Sequence, residues 1–80
     1  MARLLFLGRL EDLAGAGELE WAMAEPTPLA DVLLMLPPVL AEALGEPKVR
    51  VAVNGTLVEA AGLIVAVADE VAFLPPVSGG

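Results

Sequence analysis

The chain has 80 residues, 58% of them apolar, and eleven Asp and Glu against four Lys and Arg, for a net charge of −7. A chain this short makes one small domain that buries only about 60–65% of its unfolded surface, so this apolar fraction leaves apolar side chains outside, where large patches mark interaction sites. The charge excludes nucleic acid, whose phosphates need clustered Lys and Arg, and an anionic membrane surface; it favours a basic protein partner, drawn in by the opposite field.

The sequence contains no Cys, hence no disulfide, no thiolate metal site and no sulfur nucleophile of its own. A cytoplasmic location is compatible with that. The apolar start, Met1 to Leu10, is broken by Gly8 and Arg9; it is too short for a signal peptide and lacks a small-residue cleavage site. Asp31, Pro37-Pro38 and Asp69-Glu70 interrupt the longest apolar stretches, so no membrane span is expected.

Along the chain, Arg3 to Gly8 predicts a strand, apolar throughout rather than alternating. Glu11 to Gly17 predicts a short helical turn or loop, ended by Ala14-Gly15-Ala16-Gly17. From Glu18 to Ala24, the acids Glu18 and Glu20 alternate with Leu19, Trp21 and Met23, the mark of a strand with one wet face. The short spacing makes these two strands a hairpin. Glu25-Pro26-Thr27-Pro28 predicts a helix start, with Thr27 as the cap and Pro28 where its missing N–H does no harm. Leu29, Val32, Leu33 and Leu36 follow at helical spacing until Pro37-Pro38 ends or kinks the helix. Val39 to Leu44 resumes it as a second turn, stopped by Gly45 and Pro47.

Lys48 to Val53 alternates again, with Val49, Val51 and Val53 on one side. Asn54-Gly55 is the favoured two-residue hairpin turn and leads into Thr56-Leu57-Val58. Ala61-Gly62 marks a further turn, and Glu70 to Leu74 is the last strand. The order β-β-α-β-β-β, with one principal helix packed on one face of a mixed sheet, is an α+β layer pair. It matches a ubiquitin-like β-grasp domain over residues 1–74, followed by an extended, flexible tail over 75–80.

Strand alternation separates two faces. Leu4, Phe6, Val49, Val51, Val53, Val71 and Phe73 are assigned to the core, with Trp21, Leu29, Val32, Leu33 and Leu36 packing from beside or above. Leu5, Leu7, Ala52, Ala72 and Leu74 fall on the outer face, with Arg3 and Arg50 around them. A free face of an antiparallel sheet normally carries polar residues, so leucines there predict a docking surface that ends where the tail begins.

Conventional catalysis has little to work with. There is no His, Cys or Tyr and only one Lys, and Ser78 has no base in the sequence to activate it. The acid pairs Glu11-Asp12, Glu18/Glu20 and Asp69-Glu70 read as solvated turns and edges rather than as metal ligands or a proton-sharing pair. Gly15 and Gly17 lack the Lys and Ser/Thr of a phosphate loop. The reactive group left is the terminal carboxylate of Gly80. A carboxylate is a poor electrophile until it is joined to a good leaving group such as a nucleotide phosphate, and nothing in this chain performs that step, so an activating enzyme must. Pro75-Pro76 reads as a stalk that cannot continue strand pairing and holds the exit extended, while Gly79-Gly80 is bare enough to thread a narrow channel.

Val51-Ala52-Val53-Asn54-Gly55-Thr56-Leu57-Val58 and the closing Asp69-Glu70-Val71-Ala72-Phe73-Leu74-Pro75-Pro76-Val77-Ser78-Gly79-Gly80, with Arg3-Leu4-Leu5-Phe6-Leu7 and Pro26-Thr27, resemble the small, sulfur-carrying subunit of molybdopterin synthase. The resemblance implies that an adenylating enzyme uses ATP and Mg²⁺ to convert the Gly80 carboxylate to an acyl-adenylate, and that a persulfide donor then turns it into a thiocarboxylate. It implies no permanently bound cofactor. The tail would enter the large synthase subunit, which supplies the catalytic side chains, and donate sulfur to cyclic pyranopterin monophosphate within a heterotetramer. Phe73, Leu74, Pro75, Pro76, Val77 and Ser78 map onto the partner-binding segment, and Leu7 and Leu57 onto the hydrophobic docking region, which Leu5 of the outer face joins as a partner-binding residue. One departure bears on the fold: Val67-Ala68 stands where the family commonly has Asp-Gly, which is costly if that turn needs positive φ. Carriers of the same fold for thiamine synthesis or transfer-RNA thiolation, a protein-modifying tag that joins Gly80 to lysines, and a binding module with an inert tail are the alternatives.

Overall fold

The computed structural model describes residues 1–76. Its elements are β1 (Ala2–Phe6), α1 (Arg9–Ala14), β2 (Glu18–Trp21), β3 (Thr27–Pro28), α2 (Leu29–Leu34), α3 (Pro38–Leu44), β4 (Arg50–Val53), β5 (Thr56–Val58), β6 (Ile64–Val65) and β7 (Glu70–Leu74). Five strands form one sheet in the order β2-β1-β7-β4-β5, and β3 pairs with β6 in a two-stranded sheet. The central pair, β1 and β7, is parallel; β1–β2, β7–β4 and β4–β5 are antiparallel. This is the expected ubiquitin-like β-grasp. No helix among the described residues is long and apolar enough to cross a membrane.

The core forms where the inward faces of the strands meet the helices. Leu4, Phe6, Val51, Val71 and Phe73 are buried against Leu29, Val32, Leu36, Leu40 and Leu44, and the Phe6 and Phe73 rings stack at 5.7 Å and 9°. Leu33, Val53 and Trp21 pack half-buried at its margin. Ala2, two residues before Leu4 on the same face of β1, is buried too; Leu10, Leu40, Leu44 and Val65 belong to the core as well, and the alternation of the long strands gave no hint of these four. Leu10 enters from α1, a helix of six residues where the sequence predicts a turn or loop; its end is a left-handed Gly15 that donates to the Glu11 carbonyl.

The helix start departs from expectation. Thr27 does not cap α2: its Oγ1 donates to the Glu25 carbonyl, and Pro28 lies outside the first helical turn, at the N-cap, with no side-chain cap bond. Residues 27 and 28 are extended and pair with Val65 and Ile64 instead. The Leu29 N–H that a cap helps to satisfy is directed at the Leu63 carbonyl, 2.9 Å away, so the neighbouring loop replaces the cap. At Pro37-Pro38 the chain does break, and Pro38 becomes the first residue of a separate helix, α3.

Two turns are tied to each other. Asn54 and Gly55 both take positive φ, 51° and 86°, as the tight hairpin turn between β4 and β5 requires. The Asn54 side chain accepts from the Glu70 N–H at 3.0 Å and donates to Asp69 Oδ1 at 2.9 Å. The other carboxylate oxygen of Asp69 accepts from the Ala66 N–H at 2.9 Å, and the Asp69 N–H returns a bond to the Ala66 carbonyl at 3.1 Å. Asn54 is the one non-glycine with positive φ among the described residues, so the Val67-Ala68 turn needs no glycine. Asp69 closes that turn from its own side chain.

Asp69→Ala therefore removes the partners of one side-chain donor and one backbone donor. It is expected to lower the unfolding free energy by about 1–3 kcal/mol, measured by urea denaturation, whereas Glu59→Ala on the exposed loop changes it by no more than about 0.5 kcal/mol.

Candidate functional site

The face of the sheet turned away from the helices is built by register. Leu5 stands opposite Glu18 on one side and Ala72 on the other; Ala72 faces Ala52, and Ala52 faces Leu57. One row thus runs across all five strands, with two alanines as a floor between Leu5 and Leu57. Leu57 is 53% exposed and Leu7, just past the end of β1, is 42% exposed. Ala52 is buried although no helix covers it; its strand neighbours suffice for so small a side chain.

The patch has a charged border at one end. Arg3 Nη2 lies 2.7 Å from Glu70 Oε2, and Arg3 Nε lies 3.3 Å from Glu18 Oε2. A cation held between two carboxylates on adjacent strands is neutralised locally. At the other end, Leu74 pairs in register with Arg50, and the chain leaves the sheet through Pro75 and Pro76, both half-buried.

The residues singled out from sequence separate into three groups. Leu5, Leu7, Leu57 and Leu74 lie on the outer side, half-buried or exposed, and Pro75 and Pro76 continue from them. Phe73, assigned both to the core and to the partner-binding segment, is fully buried beneath the sheet and presents no surface. Val77, Ser78, Gly79 and Gly80 lie outside the described residues. Among the described residues no group of three acids or other ligands could hold a metal ion; Asp69 is engaged in its turn, and Glu18 and Glu70 in holding Arg3.

One residue at this end of the sheet, Gly8, was expected only to close a strand and break the apolar start. Gly8 has φ 56° and ψ −136°, and a Cβ built on it would stand 2.9 Å from Pro75 Cγ. A glycine right after an apolar strand was the visible signal, but its neighbour is 67 residues away and is brought there by topology alone.

A family model described as the ThiS family matches residues 4–80. No curated protein matches the sequence. Among solved structures, the chain is similar to SAMP1 from Haloferax volcanii, with a TM-score of 0.76 at 23% identity, covering 99% of this chain and 98% of that one. It is also similar to the small archaeal modifier protein 1 from Methanosarcina acetivorans, with a TM-score of 0.70 at 21% identity over 99% and 95% of the two chains. At these identities the likeness is one of fold.

Leu74→Asp replaces apolar surface by a carboxylate whose hydration a protein covering this face would strip, even with Arg50 beside it. Because Leu74 is only half-buried, the variant is expected to keep a cooperative thermal transition. Its affinity for a protein that covers this face should fall by about tenfold or more, measured by calorimetry.

Proposed function

The chain belongs to the ThiS family, and we propose that this ubiquitin-like sulfur carrier is the sulfur-donating subunit of a molybdopterin synthase. The observation that carries the proposal is the sequence Phe73-Leu74-Pro75-Pro76-Val77-Ser78-Gly79-Gly80, whose first two residues end the central strand beside an exposed apolar face. The body docks through Leu5, Leu7, Leu57 and Leu74, and residues 75–80 deliver the Gly80 carboxylate into the partner.

The chemistry balances with enzymes that act on the tail. A carboxylate oxygen of Gly80 attacks the α-phosphorus of Mg²⁺-bound ATP, pyrophosphate leaves, and an acyl-adenylate remains. A persulfide sulfur of the donor then attacks the carbonyl carbon, and AMP departs with the bonding pair. A thiol cleaves the sulfur–sulfur bond, becoming part of a disulfide, and the thiocarboxylate is left on Gly80. In the large synthase subunit this sulfur passes to cyclic pyranopterin monophosphate, two small and two large subunits forming the assembly. ATP and Mg²⁺ belong to the activating enzyme, and nothing stays bound to the carrier.

The modifier reading uses the same acyl-adenylate with a lysine amine as the final nucleophile, and the words "small archaeal modifier protein" describe one of the similar folds. One measurement separates the two. Intact-mass analysis after incubation with activating enzyme, ATP, Mg²⁺ and a persulfide donor is expected to show one oxygen of Gly80 replaced by sulfur, and this species is expected to yield molybdopterin with the large subunit. Amide-linked conjugates to lysine, with no sulfur gained, would replace the carrier reading by the modifier one. Removal of Gly79 and Gly80 is expected to abolish sulfur gain while the thermal transition stays in place, since the core is built from residues 2–73; a truncated chain that still gains sulfur would refute the tail's role.

A further inference from the structure

We propose that Gly8 and Pro75 form a seat that aims the tail, making Gly8 a positioning residue for the activation of Gly80; the inference rests on the carrier reading above. It begins with the ladder between the parallel strands β1 and β7. Phe6 stands opposite Phe73, so the next residues, Leu7 and Leu74, continue the register. In a parallel ladder a residue bonds through its N–H and C=O to the two residues flanking the one opposite. Arg3 does this through its N–H to Asp69 O at 2.9 Å, and Leu7 through its N–H to Phe73 O at 3.2 Å. The next bond would join the N–H of residue 75 to the Leu7 carbonyl. Proline has no N–H, and the Leu7 carbonyl accepts from Leu10 instead, at 3.1 Å, in the first turn of α1.

At this level Gly8 turns β1 away from β7. Its φ of 56° and ψ of −136° suit glycine and few other residues, and the place where a Cβ would lie is taken by Pro75 Cγ. The ladder thus ends at Pro75 for want of a donor, and the pyrrolidine ring rests on bare backbone. With φ of Pro75 fixed by its ring, the path into Pro76 is set by the β1–α1 junction. The consequence lies downstream. Five further residues reach at most about 17 Å, so a tilt of about 20° at Pro75 can move the far end by about 6 Å. Attack on a bound nucleotide requires the reacting atoms within about 3–3.5 Å.

The test is a double-mutant cycle with Gly8→Ala and Pro75→Ala, read by ATP–pyrophosphate exchange with the activating enzyme, by calorimetric binding to that enzyme, and by thermal unfolding. Gly8→Ala is expected to lower kcat by about tenfold or more while Kd, set by the untouched docking face, moves less than about threefold. Pro75→Ala, which removes the ring and restores an N–H able to extend the ladder, is expected to lower kcat as well. The double variant should lose less than the product of the two single losses, because Pro75→Ala has already removed the colliding Cγ and only the backbone strain of Ala at positive φ remains; independent sites would instead multiply their losses. Wild-type kcat in a folded Gly8→Ala protein, multiplying losses in the cycle, or a fall confined to Kd would each overturn the seat. Should Gly8→Ala not fold, wild-type kcat in Pro75→Ala would overturn it alone. An unmodified chain that supports no exchange removes the carrier reading, and the inference falls with it.

Discussion

The parallel pairing of β1 with β7 is the contact on which the rest depends. It places the last strand of the chain in the middle of the sheet, between β1 and β4. From there one strand serves two surfaces: Val71 and Phe73 fill the core, and Ala72 and Leu74 lie on the open face. A slip by one residue would exchange these sets and carry Phe73 into solvent. The stack of Phe6 on Phe73 and the ladders on both edges of β7 oppose that slip. The level at which Pro75 leaves the sheet is therefore fixed by the same packing that holds the domain together.

Much of this was legible because it is periodic or local. Glu18 and Glu20 against Leu19 and Trp21, the valines at 49, 51 and 53, the Asn54-Gly55 turn and the break at Pro37-Pro38 each carry their signal within a few residues, and they position the outer face as well as the core. What was missed is short or distant. α1 contributes only Leu10 to the core and leaves Leu13 exposed, too little for a helical period to show. β3 and β6 have two residues each, fewer than one cycle of alternation. Leu40 and Leu44 stand four apart on one side of α3, a spacing hidden when the segment is read as a single turn. Thr27 ahead of Pro28 satisfies the composition rule for a cap, but the rule assumes a helix end without other partners, and the Leu63 carbonyl supplies one.

Charge and the proposed docking would act at different ranges in this molecule. The surplus of seven negative charges makes a field that reaches about one Debye length, ~8 Å at physiological salt, and guides approach. The open face itself is largely apolar; of the two arginines at its border, Arg3 is already held between Glu18 and Glu70, while Arg50 stands exposed beside Leu74. Under the proposed docking, a partner gains by removing leucine surface from water and leaving Arg50 at the rim, since stripping an unpaired charge of its hydration costs far more than a surface ion pair returns. On the proposed docking, steering falls to the acids elsewhere, and burial to Leu5, Leu7, Leu57 and Leu74.

A central strand that must also release its end faces a conflict, since either neighbour could go on pairing with it. Both ladders stop at one level. On the β1 side, Gly8 swings into α1 and the Leu7 carbonyl is taken by Leu10. On the β4 side, the ladder starts at Arg50 opposite Leu74, and the next residue whose backbone would face β4, Pro76, has no N–H to give. Residue 75 thus meets no strand on either side, and as a proline it brings no donor of its own. Three local features converge at the same height of the sheet, so the ladders can be strong up to Leu74 without drawing the following residues into them.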